Sequence, residues 1–175
     1  MSFSPTLRIL TDLIINQERG FRVKNIIVES LPLILTIIGI IVSILLSGIG
    51  SARGAAMIGK AAAALISEQP EKFGQSLVLQ MMSASQGLYG FIVGFLIFMN
   101  MGDVIAFSVA LRSLGAGLLM GLSGYLTAIQ QSALATAGMQ ILAKKPEHST
   151  KGVLYSAMIE TYAIFAFVIS VLIVI

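Results

Sequence analysis

Four stretches of this chain are too long and too apolar to form the core of a water-soluble domain. They run from about Leu31 to Ile66, Ser76 to Met101, Ser108 to Leu142 and Gly152 to Ile175. A helix needs roughly 20 mostly apolar residues to cross a bilayer core of about 30 Å, and each stretch supplies that. Hydrocarbon offers no water to backbone N–H and C=O groups, so each stretch must satisfy them internally, as a helix. Composition agrees, because of 175 residues 57% are hydrophobic and only 11% charged, against about 25% charged in a typical soluble domain. Intrinsic disorder is excluded, since it goes with low hydrophobicity and high charge. The net charge is only +3 and the basic residues are scattered, so nucleic acid finds no basic stripe to follow. Without cysteine there is no disulfide, no thiolate metal site and no cysteine nucleophile. The expected fold is an all-α membrane protein with four transmembrane helices.

Turn chemistry separates the spans at Ser67–Lys72 around Pro70, at Asn100–Asp103, and at Lys144–His148 around Pro146. Spans one and three are longer than a bilayer is thick. Roughly 35 residues at 1.5 Å each make a rod of about 50 Å, which must tilt or project into water. Arg53 and Lys60 suit a projecting end or a snorkelling side chain. Residues 1–24 have a different pattern: Leu7, Leu10, Leu13, Ile14 and Phe21 recur at near-helical spacing among Arg8, Asp12, Glu18, Arg19, Arg22 and Lys24. They read as an amphipathic segment lying at the membrane surface, with no uncharged core and cleavage site of a signal peptide. Basic residues divide almost evenly between the two sides, so the positive-inside rule leaves orientation open.

The chain also repeats itself. Displaced by 76 residues, Pro70-Glu71 falls on Pro146-Glu147, Ser47-Gly48 on Ser123-Gly124, Met82 on Met158, Phe91 on Phe167 and Leu96-Ile97 on Leu172-Ile173, without a gap. The spans therefore form a duplicated helical hairpin, residues 25–101 and 104–175. Each copy holds two spans, so both insert in the same sense and are related by an axis along the membrane normal. That arrangement suits a ring or bundle. One difference between the copies matters: Glu160, in the middle of span four, is matched by Ala84.

Glu160 lies some 12 Å below the polar boundary at 1.5 Å per residue. An acidic side chain at a helix centre costs about 2.5–3.5 kcal/mol on insertion scales and marks an ion or proton path. The alternative is a protonated carboxyl bonding helices together. Met82, Ser85, Gln86 and Tyr89 follow i, i+3, i+4, i+7 and share a helical face, at the depth of Glu160 by the repeat register. Span three adds Gln130 and Gln131. Any one amide would suit interhelical hydrogen bonding. Together with the carboxylate they supply the several oxygens that a hard cation needs in place of its water shell, which favours Na+ over a bare proton. Small residues at four-residue spacing, Gly50/Gly54 and Gly117/Gly121, mark spans one and three as a tightly packed inner layer. Gly48-Ile49-Gly50 has the wrong spacing and no preceding strand for a nucleotide loop. His148, the only histidine, falls in a polar turn beside Lys144 and Lys145 and reads as a surface residue.

Several segments carry a family resemblance. Ser47-Gly48-Ile49-Gly50-Ser51-Ala52, Gln69-Pro70-Glu71-Lys72-Phe73-Gly74-Gln75, Gln86-Gly87-Leu88-Tyr89-Gly90-Phe91, Ile141-Leu142-Ala143-Lys144-Lys145-Pro146-Glu147-His148 and Met158-Ile159-Glu160-Thr161-Tyr162-Ala163-Ile164 resemble the V-type ATPase proteolipids. The likeness is greatest to the bacterial sodium-pumping, K-type members and covers residues 25–175. It implies a rotor-ring subunit of a rotary ATPase, not an enzyme by itself, with ATP hydrolysed by other subunits. Glu160 would be the ion-carrying carboxylate; Ser85, Gln86, Gln131 and the backbone carbonyl of Met82 would complete a Na+ site, with Tyr89 in support. Sodium-type members carry Thr at the Ser85 position and Leu at the Met82 position; serine keeps the hydroxyl and a carbonyl ligand tolerates the side-chain change.

The resemblance further implies these partners: copies of the chain in a ring, a stator a/I-type membrane subunit with an essential arginine, a central-stalk d/C-type subunit on the cytoplasmic side, and membrane lipid. No nucleic acid or directly bound nucleotide is implied. Both termini would face outside a bacterial plasma membrane, with the Pro70 and Pro146 turns cytoplasmic. The alternatives are an H+-carrying rotor of the same family and, further away, a small four-span proton-coupled exporter.

Overall fold

A computed structural model of the chain describes residues 5–175, with side chains placed from Ile27 onward and at Gln17 and Lys24. Its elements are α1 (Pro5–Glu68), α2 (Phe73–Met81), α3 (Ser85–Met99), α4 (Phe107–Lys144) and α5 (Ser149–Val174), with short 3-10 turns at Pro70–Lys72 and Pro146–His148. Four segments, Ile27–Glu68, Pro70–Met99, Phe107–Lys144 and Pro146–Val174, are long and apolar enough to cross a membrane. Among the described residues every regular element is helical.

The surface segment expected over residues 1–24 has no boundary in the backbone, since α1 passes through position 24 without interruption. Residues 1–4 and most side chains before Ile27 lie outside the described residues. The amphipathic face assigned to Leu7, Leu10, Leu13, Ile14 and Phe21 is among these. Pro32 sits inside α1 without breaking it; its carbonyl accepts the Thr36 hydroxyl at 2.9 Å. The two proline turns have the same shape. Gln69 (φ −137°, ψ 70°) and Lys145 (φ −145°, ψ 75°) are forced out of the helical region by the proline that follows each, and the chain then enters a 3-10 turn. The two turns, 76 residues apart, thus share one backbone shape. Across the two turns, Lys72 donates to the Ala143 carbonyl at 2.9 Å, where a cation complements the end of α4. His148 is half-exposed and lies 4.0 Å from Glu147.

Spans one and three pack face to face. A methyl group on Gly50 would stand 2.7 Å from the Tyr125 Cα, and one on Gly117 or Gly121 would strike the Gly39 or Val42 carbonyl. Backbones come this close only where side chains are absent, the usual means of helix association when lipid removes the hydrophobic drive. Arg53, on the exposed side of this contact, donates to the Tyr125 hydroxyl at 2.8 Å and lies over its ring. The expected close packing of the glycine-rich spans is therefore present. The same closeness recurs on span two, where no such role was expected: Gly90 meets Ser43 and Ser47 of α1, and Gly94 meets Ile44.

Among the described residues two apolar clusters fill the interior. Ile58, Ala62, Leu65, Leu79, Ala135, Met139 and Leu142 form one, against which Met82 packs. Val93, Ile97, Ala116 and Met120 form the other, against which Tyr89 packs. The polar residues of span two lie between these plugs.

Candidate ion-binding site

Span two is not one helix. It divides at Met82-Ser83-Ala84, between α2 and α3, although helical spacing of Met82, Ser85, Gln86 and Tyr89 implied a continuous rod. Bonding tightens at the break: the Met82 amide bonds the Leu79 carbonyl at 3.3 Å and the Ala84 amide bonds the Met81 carbonyl at 3.1 Å. These are i to i−3 bonds, the 3-10 pattern. Regular helix resumes with the Leu88 amide on the Ala84 carbonyl at 3.4 Å. Neither the Met82 nor the Ser83 carbonyl receives an amide. The Gly87 amide, which an unbroken helix would direct at Ser83, instead donates to Ser51 Oγ of α1 at 2.7 Å.

The break brings its polar residues onto α4 and α5. The Tyr89 hydroxyl donates to Glu160 Oε1 at 2.9 Å. Gln131 Nε2 donates to Glu160 Oε2 at 3.4 Å. Gln86 Nε2 in turn donates to Gln131 Oε1, so a carboxylate and two carboxamides form a chain across three helices. Ser156 Oγ adds a bond to the Gln131 carbonyl at 3.1 Å and fixes α5 against α4 at this depth. Tyr89 stacks on Phe167 with centroids 5.0 Å apart. Gln86 and Gln131 are fully buried, while Glu160 and Tyr89 are half-buried. Gln130, adjacent in sequence to Gln131, points outward and takes no part.

Two oxygens of the cluster are left over. Gln86 Oε1 and Ser85 Oγ are buried without a hydrogen bond of good geometry, although Ser85 lies near enough to the Tyr89 phenol to interact with it. A buried polar atom without a partner costs about 1–3 kcal/mol, and native interiors carry few. Ser43 Oγ bonds the Gly90 carbonyl, Ser132 Oγ bonds Ala128 and Ser170 Oγ bonds Ala116, but Ser83 Oγ, in the break itself, is buried without a partner as well. Unpartnered side-chain oxygens thus gather at the break, on Ser83, Ser85 and Gln86. With the Met82 carbonyl, Ser85 Oγ and Gln86 Oε1 are uncommitted oxygens on the span that also carries Tyr89, the donor to Glu160. That donor set suits a hard monovalent cation, which takes oxygen ligands in place of water. No cluster of three or more His, Cys, Asp or Glu side chains occurs among the described residues, so the carboxylate-rich cage of a divalent ion is not what this cluster resembles.

The repeat offers the contrasting case. Glu160 and Thr161 of α5 stand where Ala84 and Ser85 stand in span two. There the helix runs unbroken from Ser149–Val174, and the Thr161 hydroxyl bonds the Met158 carbonyl of its own helix at 2.8 Å.

The chain matches the ATP synthase C-subunit family over residues 45–97 and 114–173. It is 49% identical, over 85% of its length and 96% of the relative's, to the V-type sodium ATPase subunit K of Enterococcus hirae. The A-type ATP synthase subunit K of Methanocaldococcus jannaschii is 36% identical over 81% of this chain, which spans 62% of that relative. The human 16 kDa proteolipid of the V-type proton ATPase is 26% identical over 78% of the chain and 88% of the relative.

Proposed function

The chain belongs to the ATP synthase C-subunit family, and from that premise we propose that it is the rotor proteolipid of a V-type ATPase, carrying Na+ across the membrane on Glu160. The observation that carries the choice of ion is the pair of orphaned oxygens, Ser85 Oγ and Gln86 Oε1. A proton carrier needs only the carboxylate and its two donors and has no use for them. The first hairpin, residues 25–101, supplies Met82, Ser85, Gln86 and Tyr89; the second, residues 104–175, supplies Gln131 and Glu160.

The residues divide the work by chemistry. Tyr89 and Gln131 donate to opposite oxygens of Glu160 and hold the carboxylate plane before the ion arrives. Gln86 anchors Gln131 while its own Oε1 stays free for the ion. Gln131 Oε1 keeps a second lone pair after accepting from Gln86. Ser85 Oγ and the Met82 carbonyl complete the oxygen set. Binding cancels the charge of Glu160, which matters because the half-buried carboxylate must cross lipid as the ring turns. The bare anion would bear a penalty of about 2.5–3.5 kcal/mol at the bilayer centre.

Copies assemble in a ring with α1 and α4 inward, which their close glycine packing supports, and with span two and α5 outward. Leu154, Met158, Tyr162, Phe165 and Leu172 of α5 are well exposed in the single chain and suit lipid and neighbouring copies. A stator a/I-type subunit loads Na+ through one half-channel and strips it beside its arginine at the other. ATP is hydrolysed by other subunits, and torque arrives through a central-stalk d/C-type subunit at the Pro70 and Pro146 turns. The chain is integral to a bacterial plasma membrane with both termini outside. Glu160→Gln tests this directly: a ring-sized particle should form and Na+ transport by the complex should be lost. Failure to assemble would return Glu160 to a structural role, and retained transport would remove it from the ion path.

A further inference from the structure

Span two must be held broken at Met82-Ser83-Ala84 for a backbone carbonyl to be free, yet nothing in that tripeptide obliges a helix to stop. It contains neither proline nor glycine, and in lipid an open helix is costly, because each freed backbone group must find a partner. The group that would close it is the Gly87 amide, whose regular acceptor is the Ser83 carbonyl. That amide is taken by Ser51 Oγ at 2.7 Å.

The duplication supplies an internal comparison. Ser51 corresponds to Thr127, and Gly87 to Ala163. The Thr127 hydroxyl turns back onto the Ser123 carbonyl of its own helix at 2.7 Å, and α5 runs through Met158-Ile159-Glu160 without a break. Glycine at position 87 is also what lets the serine approach, for a Cβ there would lie 3.1 Å from both Ser51 Cβ and Oγ. Where the pair is Ser and Gly the hydroxyl crosses between helices and span two opens. Where it is Thr and Ala, the hydroxyl stays at home and the helix is continuous.

We propose that Ser51 of α1 is a positioning residue for the ion site: by capturing the Gly87 amide it withholds the regular donor of the Ser83 carbonyl, and with that rung gone the preceding one, from the Gln86 amide to the Met82 carbonyl, stays open as well. It touches neither Glu160 nor the proposed ligands and acts through the backbone alone. The inference rests on the sodium reading above. Its effect should appear in ion affinity and not in the carboxyl itself.

The test uses the solubilised ring and labelling of Glu160 by a hydrophobic carbodiimide, which attacks the protonated carboxyl and is blocked by a bound cation. Ser51→Ala should assemble and label at the wild-type rate without Na+. Half-protection should then require about tenfold more Na+, the scale of one lost ligand or hydrogen bond. Gly87→Ala, which crowds the hydroxyl off the amide, should give the same shift, and the double variant should be no worse than either single one. A protected wild type with unshifted variants overturns the inference and leaves the sodium reading standing. A wild type indifferent to Na+ overturns both. Loss of the assembled ring in both variants would place Ser51 in the fold alone and likewise overturn it.

Discussion

Replacing Gln86 with leucine separates a sodium site from a proton site. The carboxamide has two jobs: its Nε2 donates to Gln131 Oε1, and its Oε1 is buried without a partner. If that oxygen faces Na+, its removal forfeits one interaction with a charged group, worth about 1.5–3 kcal/mol. At roughly 1.4 kcal/mol per tenfold, Na+ should bind about 10- to 100-fold more weakly. The fold should tolerate the change. Gln131 Oε1 loses its donor, at about 1–3 kcal/mol, but a buried leucine returns about 1.5–3 kcal/mol, and the Ser156 bond to the Gln131 carbonyl at 3.1 Å is untouched. The assay is the Na+ concentration that half-protects Glu160 from carbodiimide in the purified ring. Gln130→Leu, at the adjacent outward-facing position, serves as the control and should leave protection unchanged. A Gln86→Leu ring that assembles and shifts by less than about threefold would refute the reasoning and reduce both glutamines to helix contacts.

Tyr89→Phe removes the 2.9 Å donor to Glu160 Oε1 while keeping the stack on Phe167. At about 1.5–3 kcal/mol for a bond to a charged group, Na+ should bind roughly 10- to 100-fold more weakly, read by the same protection assay. Gly117→Val drives a branched side chain into the Gly39 backbone. Overpacking costs about 1–3 kcal/mol and more where backbone is struck, so thermal stability and ring yield should fall, with Gly115→Val, which meets open space, as the tolerated comparison.

Much of this site could be read from the sequence because a membrane makes polar residues conspicuous. Glu160, Gln86, Gln131 and Tyr89 stood out against hydrocarbon, and the structure joins them in one chain of hydrogen bonds. The proline turns and the close packing of spans one and three were likewise legible, from backbone restrictions and from glycine spacing. The break in span two was not. Met82, Ser85, Gln86 and Tyr89 keep perfect helical spacing across it, and the Gly87 amide beyond it is bonded to Ser51, far away along the chain. The glycine face of span two is hard to see in the sequence because Gly87, Gly90 and Gly94 alternate steps of three and four and do not repeat a single interval. Which of Gln130 and Gln131 faces inward depends on a single residue's rotation about α4, which only the packing of α4 against α3 and α5 decides.

The asymmetry between the two hairpins has a physical rationale in the same terms. One copy holds a carboxylate on an unbroken helix, and the other holds neutral oxygens beside a broken one. A rigid helix holds the charge at a fixed depth. If Na+ is the cargo, the broken helix supplies a carbonyl, a ligand without charge, and one Na+ balances one Glu160.

The most direct measurement is carbodiimide labelling of Glu160 in the wild-type ring across pH, with and without Na+. If Na+ is the cargo, millimolar or lower Na+ should protect the carboxyl, and protection should strengthen as pH rises and protons compete less. Labelling that is indifferent to Na+ at every pH would contradict the sodium site and leave a proton rotor in its place.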